Sequence, residues 1–416
     1  MLDLVVRNAI LADRPADGAM DIGVGGGRIL AIARGLADAG AGTVYDARGR
    51  LVCAGLVETH IHLDKSRIID RCAPQSRRDL SPVTGVAPLK PAMTVEDVYA
   101  RAARTVEQAI CHGTTRMRTQ VEVDPGIGLR GLEAIEALRA DYRWAVDIEI
   151  CVFPQEGLIN YPGTDALLVQ ALRRGGGAIK VIGGAPRYDT DPAGQIERIF
   201  QLAREFDLDI DMHLDVGNTP DAMNIHLVRE LTGKYRRGGR VVAGHMAKLS
   251  LLPPAEVAAL ARSLADAGIA VTVLPATDLF LMGRDQDHSV RRGVADANLL
   301  LAEGVNCSLS SNNILNPATP YGDCSLLRIA NLYANVIQLD RPEALRECFR
   351  MLTDRSARLL NLADYGLQVG KPADIVVIAA HSPEQAIAEI SQPVAAFKSG
   401  KQTVAWPLPE LIRNGR

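Results

Sequence analysis

From about residue 53 onward the chain repeats one unit: a short apolar segment, a loop, and an amphipathic helical stretch. Eight segments read as strands: Val57–His62, Thr114–Val121, Ala145–Phe153, Ala178–Ile182, Leu208–His213, Arg240–Gly244, Ala270–Leu274 and Asn306–Ser310. Between them lie helical stretches such as Val95–His112, Thr164–Arg174 and Ala193–Phe206. Strands that alternate with helices pair in parallel, and eight such units can close on themselves. The pattern predicts an α/β fold, a (β/α)8 TIM-like barrel spanning residues 53–367.

The 416 residues leave room for a second unit beside a barrel of roughly 250 or more residues. Both ends supply it. Leu4–Leu11, Asp21–Val24, Arg28–Ala33 and Thr43–Asp46 read as strands, as do Asp374–Ala379, Ala395–Lys398 and the residues around Val404. The expected arrangement is one small β domain made of residues 1–52 and 368–416. The glycine-rich run 23–27 opens no helix, because Arg28–Ile32 continues as strand; it reads as a hairpin turn rather than a phosphate loop. Residues 68–92 carry four prolines and no periodicity, which suits a lid over a site, an ordered surface loop or a subunit contact.

A net charge of −3 gives no basic footprint for nucleic acid, so a small-molecule substrate is expected. No uncharged apolar run reaches the ~18 residues of a membrane span. The N-terminus lacks the pattern of a signal peptide, which points to the cytoplasm. Seven cysteines without a CxxC pair read as reduced thiols, mostly buried.

The chemistry concentrates at strand ends. His60 and His62 are two apart on the first barrel strand, so both imidazoles face the same way. Two nitrogen ligands side by side at the C-terminal end of a barrel strand suit a zinc or iron site. His213 ends the fifth strand and His245 the sixth, whereas His112, His226, His288 and His381 fall on helices or loops. Asp215, two residues past His213, faces the same way if its strand continues.

The segment Val57-Glu58-Thr59-His60-Ile61-His62-Leu63-Asp64-Lys65 resembles the first-strand motif of the amidohydrolase superfamily, in its cytosine deaminase-like branch. Phe153-Pro154-Gln155-Glu156-Gly157 is similar to the branch's third-strand motif, and Gly183-Gly184-Ala185-Pro186-Arg187-Tyr188 to its fourth-strand segment. Ala357–Leu362 and Gly370–Asp374 match the return to the β domain, so the resemblance spans nearly the whole chain. It implies one divalent metal ion, Zn2+ or Fe2+, held by His60, His62 and His213, with His245 near the metal-bound water. An eighth-strand Asp normally completes the set, and Asn312 stands there instead. Gln155 is implied to contact substrate, with Lys65 and Arg187 as further pocket candidates and a homo-oligomer as the expected assembly.

Three positions depart from the branch. Val216 occupies the place of a proton-carrying Glu, Asn312 that of the Asp, and Gln120 that of a second-strand His. The stretch His213–Gly217 is closer to N-isopropylammelide amidohydrolases, which also lack that Glu. The resulting expectation is a metal-dependent hydrolase that cleaves a C–N bond of a small pyrimidine- or triazine-like heterocycle by attack of a metal-bound hydroxide. Loss of the Glu argues against cytosine itself. Either Asp215 or His245 would take the proton that Asn312 cannot, with Asp215 alternatively orienting a ligand. Other readings of the same fold are a hydrolase of non-cyclic amides, ureas or carbamates, and a non-catalytic metal-binding protein.

Overall fold

The computed structural model describes residues 2–38, 40–72, 85–175, 177–291, 293–407 and 409–412. Segments rich in Val, Ile and Leu form two sheets. The N-terminal region supplies β1 (Leu4–Leu11), β2 (Ala19–Gly25), β3 (Arg28–Ala33), β4 (Thr43–Asp46) and β5 (Leu51–Ala54). The barrel follows with β6 (Leu56–Ile61), β7 (Thr114–Glu122), β8 (Asp147–Phe153), β9 (Val181–Gly184), β10 (Asp209–Leu214), β11 (Val241–His245), β12 (Ile269–Val273) and β13 (Cys307–Leu309). The C-terminal strands are β14 (Ile375–Ile378), β15 (Pro393–Lys398) and β16 (Lys401–Ala405).

The barrel strands are hydrogen-bonded in sequence order from β6 to β13, every pair parallel. Closure comes from Asn312, just past β13. Its amide donates to the His60 carbonyl at 3.0 Å and its carbonyl accepts from His62 N–H at 2.9 Å. Thr59 N–H adds a bond to Ser310 Oγ at 2.9 Å. The same contact that closes the barrel therefore fixes the first two histidines against Asn312. This is the (β/α)8 barrel the alternating pattern predicts.

Helices cover the outside, among them Val95–Cys111, Pro192–Glu205 and Ile225–Lys234. Their starts are capped locally: Thr94 Oγ1 accepts from Asp97 N–H at 3.2 Å, and Asp191 Oδ1 from Gly194 N–H at 2.9 Å. The Val95–Cys111 helix lays Ala102, Val106 and Ala109 on the barrel core, while Val98 packs with Ile68, Val86 and Met93.

The second sheet runs β16-β15-β14-β5-β1-β2-β3, with β4 pairing on β1. Strands from both ends of the chain thus share one sheet. Gly55 is the single residue between β5 and β6, and a side chain there would overlap Thr115. The glycine-rich run is a hairpin turn: β2 and β3 pair antiparallel around Gly26 and Gly27, both with positive φ. The fourth barrel strand starts at Val181, later than the sequence pattern places it, because Ala178 N–H closes a turn on Gly175 O. Lys180 precedes that strand and is exposed.

The middle of the long loop, residues 73–84, lies outside the described residues. Its described end forms a short 3-10 helix, Ala87–Ala92, with Lys90 buried. All seven cysteines are free, and five are buried. Among the described residues no helix is long and apolar enough to cross a membrane.

Candidate active site

The C-terminal ends of the barrel strands deliver four histidines to one place. His213 Nε2 lies 3.1 Å from His60 Nε2 and 3.0 Å from His62 Nε2. His60 and His62 are buried and His213 is partly buried, and desolvation pushes the pKa values of His62 and His213 well below the ordinary imidazole value. Burial also lowers His60, against the pull of Asp211. Asp211 takes the Nδ1 proton of His60 and leaves its Nε2 as a lone pair, and three neutral imidazoles bring their nitrogens to one point. The donor set fits a divalent cation.

A buried chain fixes His60. Asp211 Oδ1 accepts from His60 Nδ1 at 3.2 Å, which turns the Nε2 lone pair toward His213. Arg118 Nη1 donates to Asp211 Oδ2 at 3.2 Å, and Arg118 Nε to Glu149 at 2.6 Å. Burial would raise the Asp211 pKa, but His60 and Arg118 outweigh it and keep the carboxyl below its usual value. Asp211 is two residues before His213 on β10, so the alternation of that strand could have revealed it. Gln120 approaches the same ring nitrogen, with Nε2 3.3 Å from His60 Nδ1. Gly244 leaves the space the ring needs, since a Cβ there would stand 3.3 Å from His60 Cε1.

His245 ends β11 with φ of +74°, an uncommon backbone conformation for a non-glycine residue. Its Nδ1 pairs with Asp278 Oδ1 at 2.6 Å. Asp278 is fully buried on the short helix Pro275–Leu281, which follows β12. No sequence motif singled it out, although it lies just past a barrel strand. The opposite nitrogen, His245 Nε2, is 3.5 Å from Asn312 Nδ2, while Asn312 Oδ1 is buried with no hydrogen-bond partner among the described residues.

A cavity opens over this cluster, and its lining includes His62, Lys65, Gln155, Arg187, His213, Asp215, His245 and Asn312. Phe153 stacks on His213 with ring centroids 4.8 Å apart. Asp215 does line the cavity, but its strand does not continue. β10 stops at Leu214, and Asp215 turns left-handed with φ of +54°. Its Oδ1 and Oδ2 accept the backbone N–H groups of Asn224 at 2.8 Å and Ile225 at 3.1 Å. That carboxylate holds the start of the Ile225–Lys234 helix. Val216 also lines the cavity and adds no charge.

Lys65 forms its ion pair with Glu122, at 2.6 Å, rather than with the adjacent Asp64. The Asp64 carboxylate instead accepts two backbone N–H groups, from Lys65 and Glu122. Lys65 Nζ also donates to Gln155 Oε1 at 2.8 Å. Glu122 is shared with Lys90, which contacts Asp124 and Glu156 as well, each pair at 2.6–2.7 Å. Burial would raise the Glu122 pKa, but Lys65 and Lys90 hold it down to about 2. Burial and the Glu122 charge push Asp64 up to about 6. Neither Glu122 nor Lys90 carried a sequence signal, because their partners come from separate loops.

The profile of the amidohydrolase family matches residues 96–405. The chain belongs to the amidohydrolase family. Among curated relatives, this amidohydrolase is 27% identical over 410 residues to N-isopropylammelide isopropyl amidohydrolase of Pseudomonas sp. (strain ADP), covering 96% of each chain. Among solved structures, 5-methylcytosine deaminase from Klebsiella pneumoniae superposes with a TM-score of 0.91 at 27% identity, covering 98% of this chain and 99% of that one. N-isopropylammelide isopropylaminohydrolase from Burkholderia multivorans gives 0.84 at 29% identity, covering 97% and 98%. The amidohydrolase is therefore a metal-dependent hydrolase of C–N bonds other than peptide bonds, in line with the first-strand motif.

Proposed function

We propose that this amidohydrolase removes an amino or alkylamino group from a small pyrimidine- or triazine-like heterocycle, with His245 as the proton carrier. The observation that carries the reading is the His245–Asp278 pair beside three converging imidazole nitrogens at the cavity floor. The names of the similar proteins, a 5-methylcytosine deaminase and N-isopropylammelide hydrolases, support the substrate class.

His60, His62 and His213 would hold one divalent ion, Zn2+ or Fe2+, which when bound supplies Lewis acidity and an acidified water. The remaining chemistry belongs to side chains. Asp278 accepts the Nδ1–H of His245 and leaves Nε2 as the open base. His245 Nε2 takes the proton of the attacking water, and the buried carboxylate of Asp278 stabilises the imidazolium. The same nitrogen then returns the proton to the departing amine. A neutral Asn312 cannot take that proton, and Asp215 is committed to two backbone N–H groups. Gln155 and Lys65 present hydrogen-bond donors to the ring edge, and Arg187 stands at the mouth.

The test loads the protein with zinc or iron, measures the metal content, and screens aminopyrimidines and alkylaminotriazines for ammonia or amine release. Removing the metal with a chelator should abolish release, and adding it back should restore it. Absence of release from every ring at full metal occupancy would refute the reading.

A further inference from the structure

The cavity wall has an uneven charge. Its described lining includes two cationic side chains, Lys65 and Arg187, and one carboxylate, Asp215. Lys65 is neutralised by Glu122 at 2.6 Å. Asp215 is occupied by the N–H groups of Asn224 and Ile225. Arg187 has no carboxylate partner among the described residues. Its Nη1 donates to the backbone carbonyl of Val216 at 3.1 Å, and its guanidinium carbon stands 5.9 Å from the Tyr188 ring centroid.

Two neutral residues sharpen this imbalance. Val216 and Asn312 both line the cavity, and neither offsets the Arg187 charge. The guanidinium has five N–H donors in a planar fork, and one is engaged. That fork matches a carboxylate better than a neutral carbonyl. Gln155 adds to the same bias. Its Oε1 already accepts from Lys65, so the NH2 group is what remains for a ligand. Arg187 follows Pro186 at the end of β9, on a short 3-10 turn, which holds the base of the side chain at the cavity mouth.

We propose that the substrate heterocycle bears an anionic substituent of carboxylate type, and that Arg187 binds it at the mouth while the ring faces the histidines. This rests on the heterocycle reading above and narrows it: an uncharged aminopyrimidine offers the solvent-exposed Arg187 guanidinium no charged partner.

The experiment measures calorimetric binding of a pyrimidine carboxylate and the matching pyrimidine carboxamide to the zinc-loaded protein, to Arg187→Ala and to Arg187→Lys. The expected result is carboxylate binding at least about tenfold tighter in the wild type, as one charge-assisted pair would give. The ratio should fall to about one in Arg187→Ala, lie between in Arg187→Lys, and shrink with added salt. A carboxylate preference that survives Arg187→Ala would assign it to the metal and overturn the proposal. Equal binding of both rings to the wild type, or binding of neither, would overturn it too. Turnover is scored separately. Heterocycle turnover with no carboxylate preference sinks the Arg187 assignment alone, whereas a carboxylate preference without turnover of any ring sinks the hydrolytic reading instead.

Discussion

Replacing Asp278 with Asn separates proton handling from substrate binding. The His245 Nδ1–Asp278 Oδ1 contact is 2.6 Å, and the carboxylate is fully buried. A hydrogen bond to a charged group contributes about 1.5–3 kcal/mol. At about 1.4 kcal/mol per decade of rate, losing it slows turnover roughly 10- to 150-fold. The amide can also turn its NH2 toward Nδ1. That moves the proton of His245 to Nε2 and removes the base, taking the loss toward the 10²–10⁴ range of general acid–base catalysis. Asp278 is not among the residues lining the cavity, so KM should hold while kcat falls. Asp278 Oδ2 is buried with no hydrogen-bond partner among the described residues, so removing the buried charge should offset part of the lost hydrogen bond in thermal unfolding. Steady-state amine release, metal content and thermal unfolding are read on the same preparation. A kcat within threefold of wild type at full metal content would refute the proton-carrier argument. A parallel loss of metal would show that Asp278 acts on the ion site instead.

Further outcomes follow from the same geometry. Lys90→Met removes the cation that faces Asp124 and Glu156 and leaves Glu122 with Lys65 alone, and should cost about 3–5 kcal/mol in urea unfolding; an unchanged midpoint would contradict the ionic cluster. Burial lowers the pKa values of His62 and His213 in the folded state, so the unfolded chain takes up protons first as pH falls below about 6.5. The metal-free protein should therefore hold this contribution above pH 6.5 and lose stability as pH drops toward the lowered folded values. A His62→Gln, His213→Gln double variant should flatten that dependence in denaturant titrations from pH 7.5 to 5. Asn312→Asp places a carboxylate beside His245 and the histidine cluster, and should slow metal loss to a competing chelator by about tenfold or more.

The sequence by itself determined the barrel and the histidines. The fold was legible because strand and helix periods are local, and eight alternations leave few architectures. His60 and His62 were legible because two residues apart on one strand must share a face. His213 and His245 were legible because both end predicted strands. Asp215 was misleading for a local reason: the strand stops at Leu214, and a left-handed residue turns the carboxylate onto a helix N-terminus. Asp278, Glu122 and Lys90 were not legible at all. Each gains meaning from a partner 32 or more residues away, His245 for Asp278 and Lys65 and Lys90 for Glu122. Barrel closure belongs to this group as well, since Asn312 meets His60 and His62 only when the first and last strands join. Sequence order records which residues are present at the strand ends. Which of them share a proton, a charge or a metal depends on distances of about 3 Å that only the packed barrel sets.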